Sequence, residues 1–200
     1  MTILQRYRIP ITFVVFGPLL ALAILSGGFP HNPFNANDIQ GIGGTILVLF
    51  GTGLRSWAAG VVRKRKNLTT TGPYAFTRHP LYVGSMFLAL GICIILGDLK
   101  LLCAVLAVTF SIYIPKVRTE ERFLLKKFGN EWKKYTHRTG YFLPKDNSIR
   151  IRSGWSMTQW TKNKEYYCFG TALSALVLLA IMYTTHLNQL NNLAVILIQI

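Results

Sequence analysis

Long apolar runs cut by short basic connectors are the feature that most restricts this chain. Runs at 10–26, 41–62, 80–96, 101–115 and 166–185 carry almost no charge, and the stretches between them carry nearly all of it. About 20 apolar residues at a 1.5 Å rise cross a hydrocarbon core about 30 Å thick. A helix satisfies its own backbone there, and an open strand does not. The expected fold is all-α: a polytopic transmembrane helix bundle of about five spans in a single domain, 1–200. The first run is short for that thickness, and Pro18 can kink it.

The composition supports this. A chain that is 51% hydrophobic yet carries a formal charge of +15 is unusual for a soluble protein. Apolar spans with basic connectors produce both values. Nucleic-acid binding is a poor reading, because the charge lies between apolar runs and not along one face. Attraction to anionic membrane lipids is the simpler one. Cys93, Cys103 and Cys168 lie in or beside apolar runs without CxxC spacing. They read as small hydrophobic residues, with no disulfide framework and no metal site. The first run lacks a small-residue cleavage site, so it is expected to stay as an anchor.

Charge also orients the bundle. Arg63-Lys64-Arg65-Lys66 follows the second run, and 116–164 is basic throughout, whereas 27–40 has no Lys or Arg. The positive-inside rule then puts the basic segments and the N-terminus in the cytoplasm. Of 22 Lys and Arg, only Lys100 falls on an expected outside connection and only Arg55 within a run. Arg55 is about two turns from the basic end and is expected to snorkel to it. Residues 97–100 form a tight turn, so runs three and four make a hairpin. Its free ends bring two polar segments to one membrane face. Trp155 and Trp160 read as interface anchors. The apolar tail near residue 200 is too short to span.

The polar segments, within 66–84 and 116–135, carry the chemistry. Pro80 suits the first position of a helix, with His79 at its cap. The N–H groups of Leu81, Tyr82 and Val83 should then face the cytoplasm as an anion site beside His79 and Arg78. His79 and Tyr82, three apart, share a face. A plain His-Pro cap is the other reading. Lys116 and Glu120 are four apart, with Glu121 adjacent. A carboxylate there can accept ribose hydroxyls or hold a cation, or simply pair with lysine. Phe123, Leu124, Phe128 and Trp132 form a helical stripe that Gly129 should break. Phe128, Trp132 and Tyr135 should pack against headgroups or wall the site.

Taken together, the motifs are specific. Gly72-x-Tyr74, Arg78-His79-Pro80-x-Tyr82-x-Gly84, then Glu120-Glu121-x-x-Leu124-x-x-x-Phe128-Gly129-x-x-Trp132-x-x-Tyr135 resemble the isoprenylcysteine carboxyl methyltransferase family and its phospholipid methyltransferase relatives. The resemblance covers about 60–144. It implies a small bundle of membrane helices that takes S-adenosylmethionine from the cytosol and a lipophilic acceptor from the bilayer. By position it places the cofactor at Lys66, Asn67, Leu68, Thr69, Tyr74, His79, Pro80, Leu81, Tyr82 and Glu120. The family's substrate-side arginine falls at Lys116, with Arg118 near enough to substitute, and a family tyrosine is Trp132 here.

A carboxylate acceptor needs no base, and Lys116 or Arg138 can orient it. An amine acceptor must lose a proton, and Glu121 is then the candidate base. A lipid N-methyltransferase is the nearest rival. Membrane sterol reductases, which use NADPH, share a similar His-Pro-x-Tyr-x-Gly stretch but are much longer. A non-catalytic scaffold is the third reading.

Overall fold

A computed structural model describes residues 30–63, 67–141, 145 and 154–198. Every regular element among them is a helix: α1 (Ile39–Val61), α2 (Pro73–Phe76), α3 (Pro80–Leu96), α4 (Leu99–Phe128), α5 (Asn130–Arg138), α6 (Met157–Lys162) and α7 (Glu165–Ile198). Among the described residues, α1, α4 and α7 are long and apolar enough to cross a membrane, and α3 is a shorter apolar helix. The expected span at 10–26 lies outside the described residues, as does Lys66.

The bundle is built on α1 and α3, and small residues let them approach. A Cβ placed on Gly44 would lie 2.6 Å from the Gly91 carbonyl oxygen, and one on Gly51 2.5 Å from that of Gly84. The pairing is antiparallel, and each helix spaces its two glycines seven residues apart. Without a hydrophobic drive between helices in lipid, such close backbone contact is a main source of association. The apolar core lies toward the other end of α3, where Val48, Ala89, Cys93, Ile95 and Leu96 meet Leu101, Val105, Ala172, Leu176 and Leu179.

The expected hairpin is present. Gly97 ends α3 at φ +66°, a left-handed conformation suited to glycine. Asp98 caps α4 by accepting from the Lys100 and Leu101 N–H groups. Two boundaries differ from expectation. Pro115 does not end the fourth run, because α4 continues to Phe128. Pro115 is exposed, and membrane helices tolerate the missing bond. Likewise α7 runs past 185 to Ile198, taking the polar stretch and apolar tail into one helix.

Arg55 is a clear correction. It does not reach the basic end. It donates from Nε and Nη2 to Glu165 at 2.8 and 3.2 Å, and from Nη1 to the Leu81 carbonyl at 3.2 Å and to Ser85 Oγ. A fixed counter-charge inside the bundle outcompetes a long excursion to water. Trp155 also anchors to protein. It lies across Gly60, donates to the Ser56 carbonyl at 3.2 Å and remains half exposed. Asn163 adds bonds to the Ala59 and Val62 carbonyls, closing the C-terminal end of α1.

Candidate functional site

The site forms where the start of α3 faces the second half of α4. Because α4 is continuous, it carries Tyr113, Lys116, Glu120 and Glu121 on one rigid element. Tyr82 donates its hydroxyl to Glu120 at 3.0 Å. Its ring lies 4.9 Å from that of Tyr113, and 5.7 Å from the imidazole of His79. The two polar segments therefore meet, as the hairpin requires.

Glu121 is the hub beside them. Arg78 donates to its Oε1 at 2.7 Å, His79 Nε2 lies 3.3 Å from the same oxygen, and Tyr141 donates to Oε2 at 2.8 Å. The Arg78 guanidinium also sits 4.0 Å over the Tyr141 ring, a cation–π contact. Backbone bonds hold this layer in place: Arg78 N–H donates to the Gly140 carbonyl, and Thr77 Oγ1 to that of Tyr141. Burial pushes the His79 imidazole below its ordinary range, against the pull of Glu120 and Glu121. The hydrogen bond to Glu121 raises the Tyr141 phenol, and partial burial adds to it.

The floor comes from α5. Gly129, at φ +51°, breaks the helix as expected and turns α5 back under α2. Trp132 and Tyr135 are buried, and Tyr135 donates to the Tyr74 carbonyl at 2.7 Å. Burial drives the Tyr135 phenol upward, so it stays a donor. Tyr135→Phe removes that hydrogen bond. It should lower stability by about 0.5–1.5 kcal/mol, read as an earlier melting transition in detergent with the helical spectrum unchanged.

The helix start differs from expectation. The Tyr82 and Val83 N–H groups are not open to an anion, because both donate to the His79 carbonyl at 3.0 and 3.1 Å. The first turn closes on its own cap residue. Pro80 is buried and Leu81 half-buried within that turn. Asn67, Leu68 and Thr69 lie in the loop before α2, Asn67 exposed and the others half-buried. Lys116 is half-buried one turn before Glu120, whereas Arg138 is exposed at the far end of α5. Arg118 and Arg122 line a pocket of about 260 Å³ with Glu121, Leu125 and Trp132.

Sequence reasoning missed Tyr113, Tyr141 and the carboxylate partner of Arg78. Tyr113 lies seven residues before Glu120, two helical turns along one face. Ending the helix at Pro115 hid that relation.

Comparison with known proteins adds a second line. The sequence model of the family described as phospholipid methyltransferase matches residues 39–131. The cobalt-zinc-cadmium resistance protein CzcN of Cupriavidus metallidurans is 35% identical over 163 residues, 77% of this chain and 71% of the relative. The nickel-cobalt-cadmium resistance protein NccN of Alcaligenes xylosoxydans xylosoxydans is 33% identical over 75% of this chain and 70% of its own length. The protein-S-isoprenylcysteine O-methyltransferase of Schizosaccharomyces pombe is 31% identical over 42% of this chain and 37% of the relative. No solved structure matches the chain.

Proposed function

This chain belongs to the membrane methyltransferase family of the isoprenylcysteine and phospholipid enzymes, and from that premise we propose that it transfers a methyl group from S-adenosylmethionine to a lipophilic acceptor, foremost the carboxylate of an isoprenoid or other lipid. It is an integral membrane protein. We place its active site at the cytoplasmic face, among basic connectors that suit anionic lipids.

The observation that carries this reading is the Tyr82–Glu120 bond at 3.0 Å, which joins both motif segments beside the Tyr82–Tyr113 ring pair. The residues present fit the cofactor. Glu120 can hold a ribose diol or an ammonium, and the Tyr82 and Tyr113 faces suit a sulfonium by cation–π contact. Arg78 brings positive potential for a carboxylate and the buried His79 imidazole a hydrogen bond, although both now face Glu121. When bound, S-adenosylmethionine supplies an electrophilic methyl on a cationic sulfur. The protein's part is then mainly alignment of two reactants.

A carboxylate acceptor is favoured over an amine because the oxygens of Glu121 already accept from three side chains. That leaves it poorly placed to take a proton. Lys116 on α4 and Arg118 at the pocket are the cations that can orient the acceptor. The names of the metal-resistance relatives describe those proteins. Among the described residues no group of three His, Cys, Asp or Glu converges to hold a metal ion.

Calorimetric titration of the detergent-purified protein tests the reading. S-Adenosylmethionine should bind saturably. Glu120→Ala and His79→Ala should each weaken it by about 10- to 100-fold, the worth of a hydrogen bond to a charged group. Folded protein that ignores S-adenosylmethionine and binds NADPH would move the chain to the reductases.

A further inference from the structure

Arg55 and Glu165 form a buried ion pair that neither the motif nor the proposed chemistry uses. Their side chains are 20% and 7% exposed. Glu165 opens α7, beyond the residues 39–131 that match the family model. Ion pairs of this kind are weak evidence for stability, since the desolvation they require offsets their attraction. The use of this one lies in where the guanidinium points.

Nη1 of Arg55 reaches the start of α3 and touches it twice, at the Leu81 carbonyl in the first turn and at Ser85 Oγ in the second. Ser85 Oγ also donates to the Leu81 carbonyl at 2.9 Å. Arg55, Leu81 and Ser85 thus make one closed polar triangle. Tyr82 is the next residue after Leu81, and its ring direction sets the Tyr82–Glu120 bond. On the other side, the methylene stem of Arg55 fills the space that glycine leaves at position 84. Tyr113, whose ring packs at a tilt against that of Tyr82, is also within electrostatic reach of Arg55. Glu165 fixes the guanidinium through two bonds, so its planar fork has one orientation.

We propose that Glu165 and Arg55 are positioning residues: α7 sets the first turn of α3, and through it the direction of Tyr82 toward Glu120. Neither touches the cofactor or acceptor. The consequence for activity rests on the methyltransferase reading above, whereas the effect on α3 does not.

The test separates positioning from bulk stability. The double variant Arg55→Met with Glu165→Leu replaces the pair by apolar side chains, an exchange that often keeps or raises stability. Glu165→Gln and Arg55→Lys are the single variants. Hydrogen exchange is followed at amides 82–86 and 90–96 of α3, and S-adenosylmethionine affinity by calorimetry. The double variant should melt no earlier than wild type, yet exchange about tenfold faster at 82–86, with 90–96 unchanged. Its affinity should fall by a similar factor.

Wild-type exchange and affinity in the folded double variant would overturn the proposal, because only the ion pair's bulk would then matter. If the double variant does not fold, the single variants decide. Faster exchange confined to 82–86 supports positioning, and uniformly faster exchange along α3 overturns it. If wild-type protein binds no S-adenosylmethionine, the methyltransferase reading fails, while the exchange pattern still decides this one.

Discussion

Gly51→Ala should strongly destabilise the folded bundle. The added Cβ would sit 2.5 Å from the Gly84 carbonyl oxygen and 2.7 Å from the Leu88 nitrogen. Both are backbone atoms of α3, so no side chain can swing aside. The helices must part, and the partner contact between Gly44 and Gly91 opens with them. Overpacking against a side chain costs about 1–3 kcal/mol, and rigid backbone puts this site at or above the top of that range. Gly53→Ala is the control. It lies on the same helix with nothing within 4 Å of its Cβ. There the substitution should be neutral or stabilise by about 0.5–1 kcal/mol through helix propensity. Thermal melting of the purified proteins distinguishes them. Equal midpoints for the two variants would mean that α1 and α3 do not pack as described.

That contact was legible in the sequence only in hindsight. Gly44, Gly51, Gly84 and Gly91 stand in two seven-residue pairs, but the pairing partner of a helix in lipid is not written in its apolar pattern. The apolar pattern did give the helices. The expected 80–96 and the observed Pro80–Leu96 agree, since Pro80 and Gly97 bound the run with opposite and unambiguous end signals. The motif gave the meeting of Tyr82 with Glu120, because a hairpin must return both ends to one face. Pro115 misled, as proline in a membrane helix is a weaker stop than in water. Arg55 misled for a different reason. Its counter-charge, Glu165, lies 110 positions away, and nothing local announces such a partner.

Glu121→Ala should be the most damaging change within the site. It strips the carboxylate from Arg78, whose side chain is only 8% exposed, and from His79, exposed to the same extent. Leaving a buried cation unpaired costs about 3–5 kcal/mol. Glu121→Gln keeps an acceptor for Tyr141 and should cost less. Acid should then widen the gap between Glu121→Gln and wild type. His79 already titrates below its ordinary value because burial disfavours the imidazolium. The unfolded chain therefore binds the proton more readily, so stability is full above about pH 6.5 and is lost as pH falls through the folded value. Glu121 opposes that depression. Without it the folded value drops further, and the loss continues to lower pH. Melting temperatures measured from pH 7.5 down to pH 5, values set by the ordinary histidine range of about 6.5, should show Glu121→Gln falling away from wild type on the acid side. Parallel curves would mean that Glu121 does not sense the charge on His79, and the hub would reduce to its bonds with Arg78 and Tyr141.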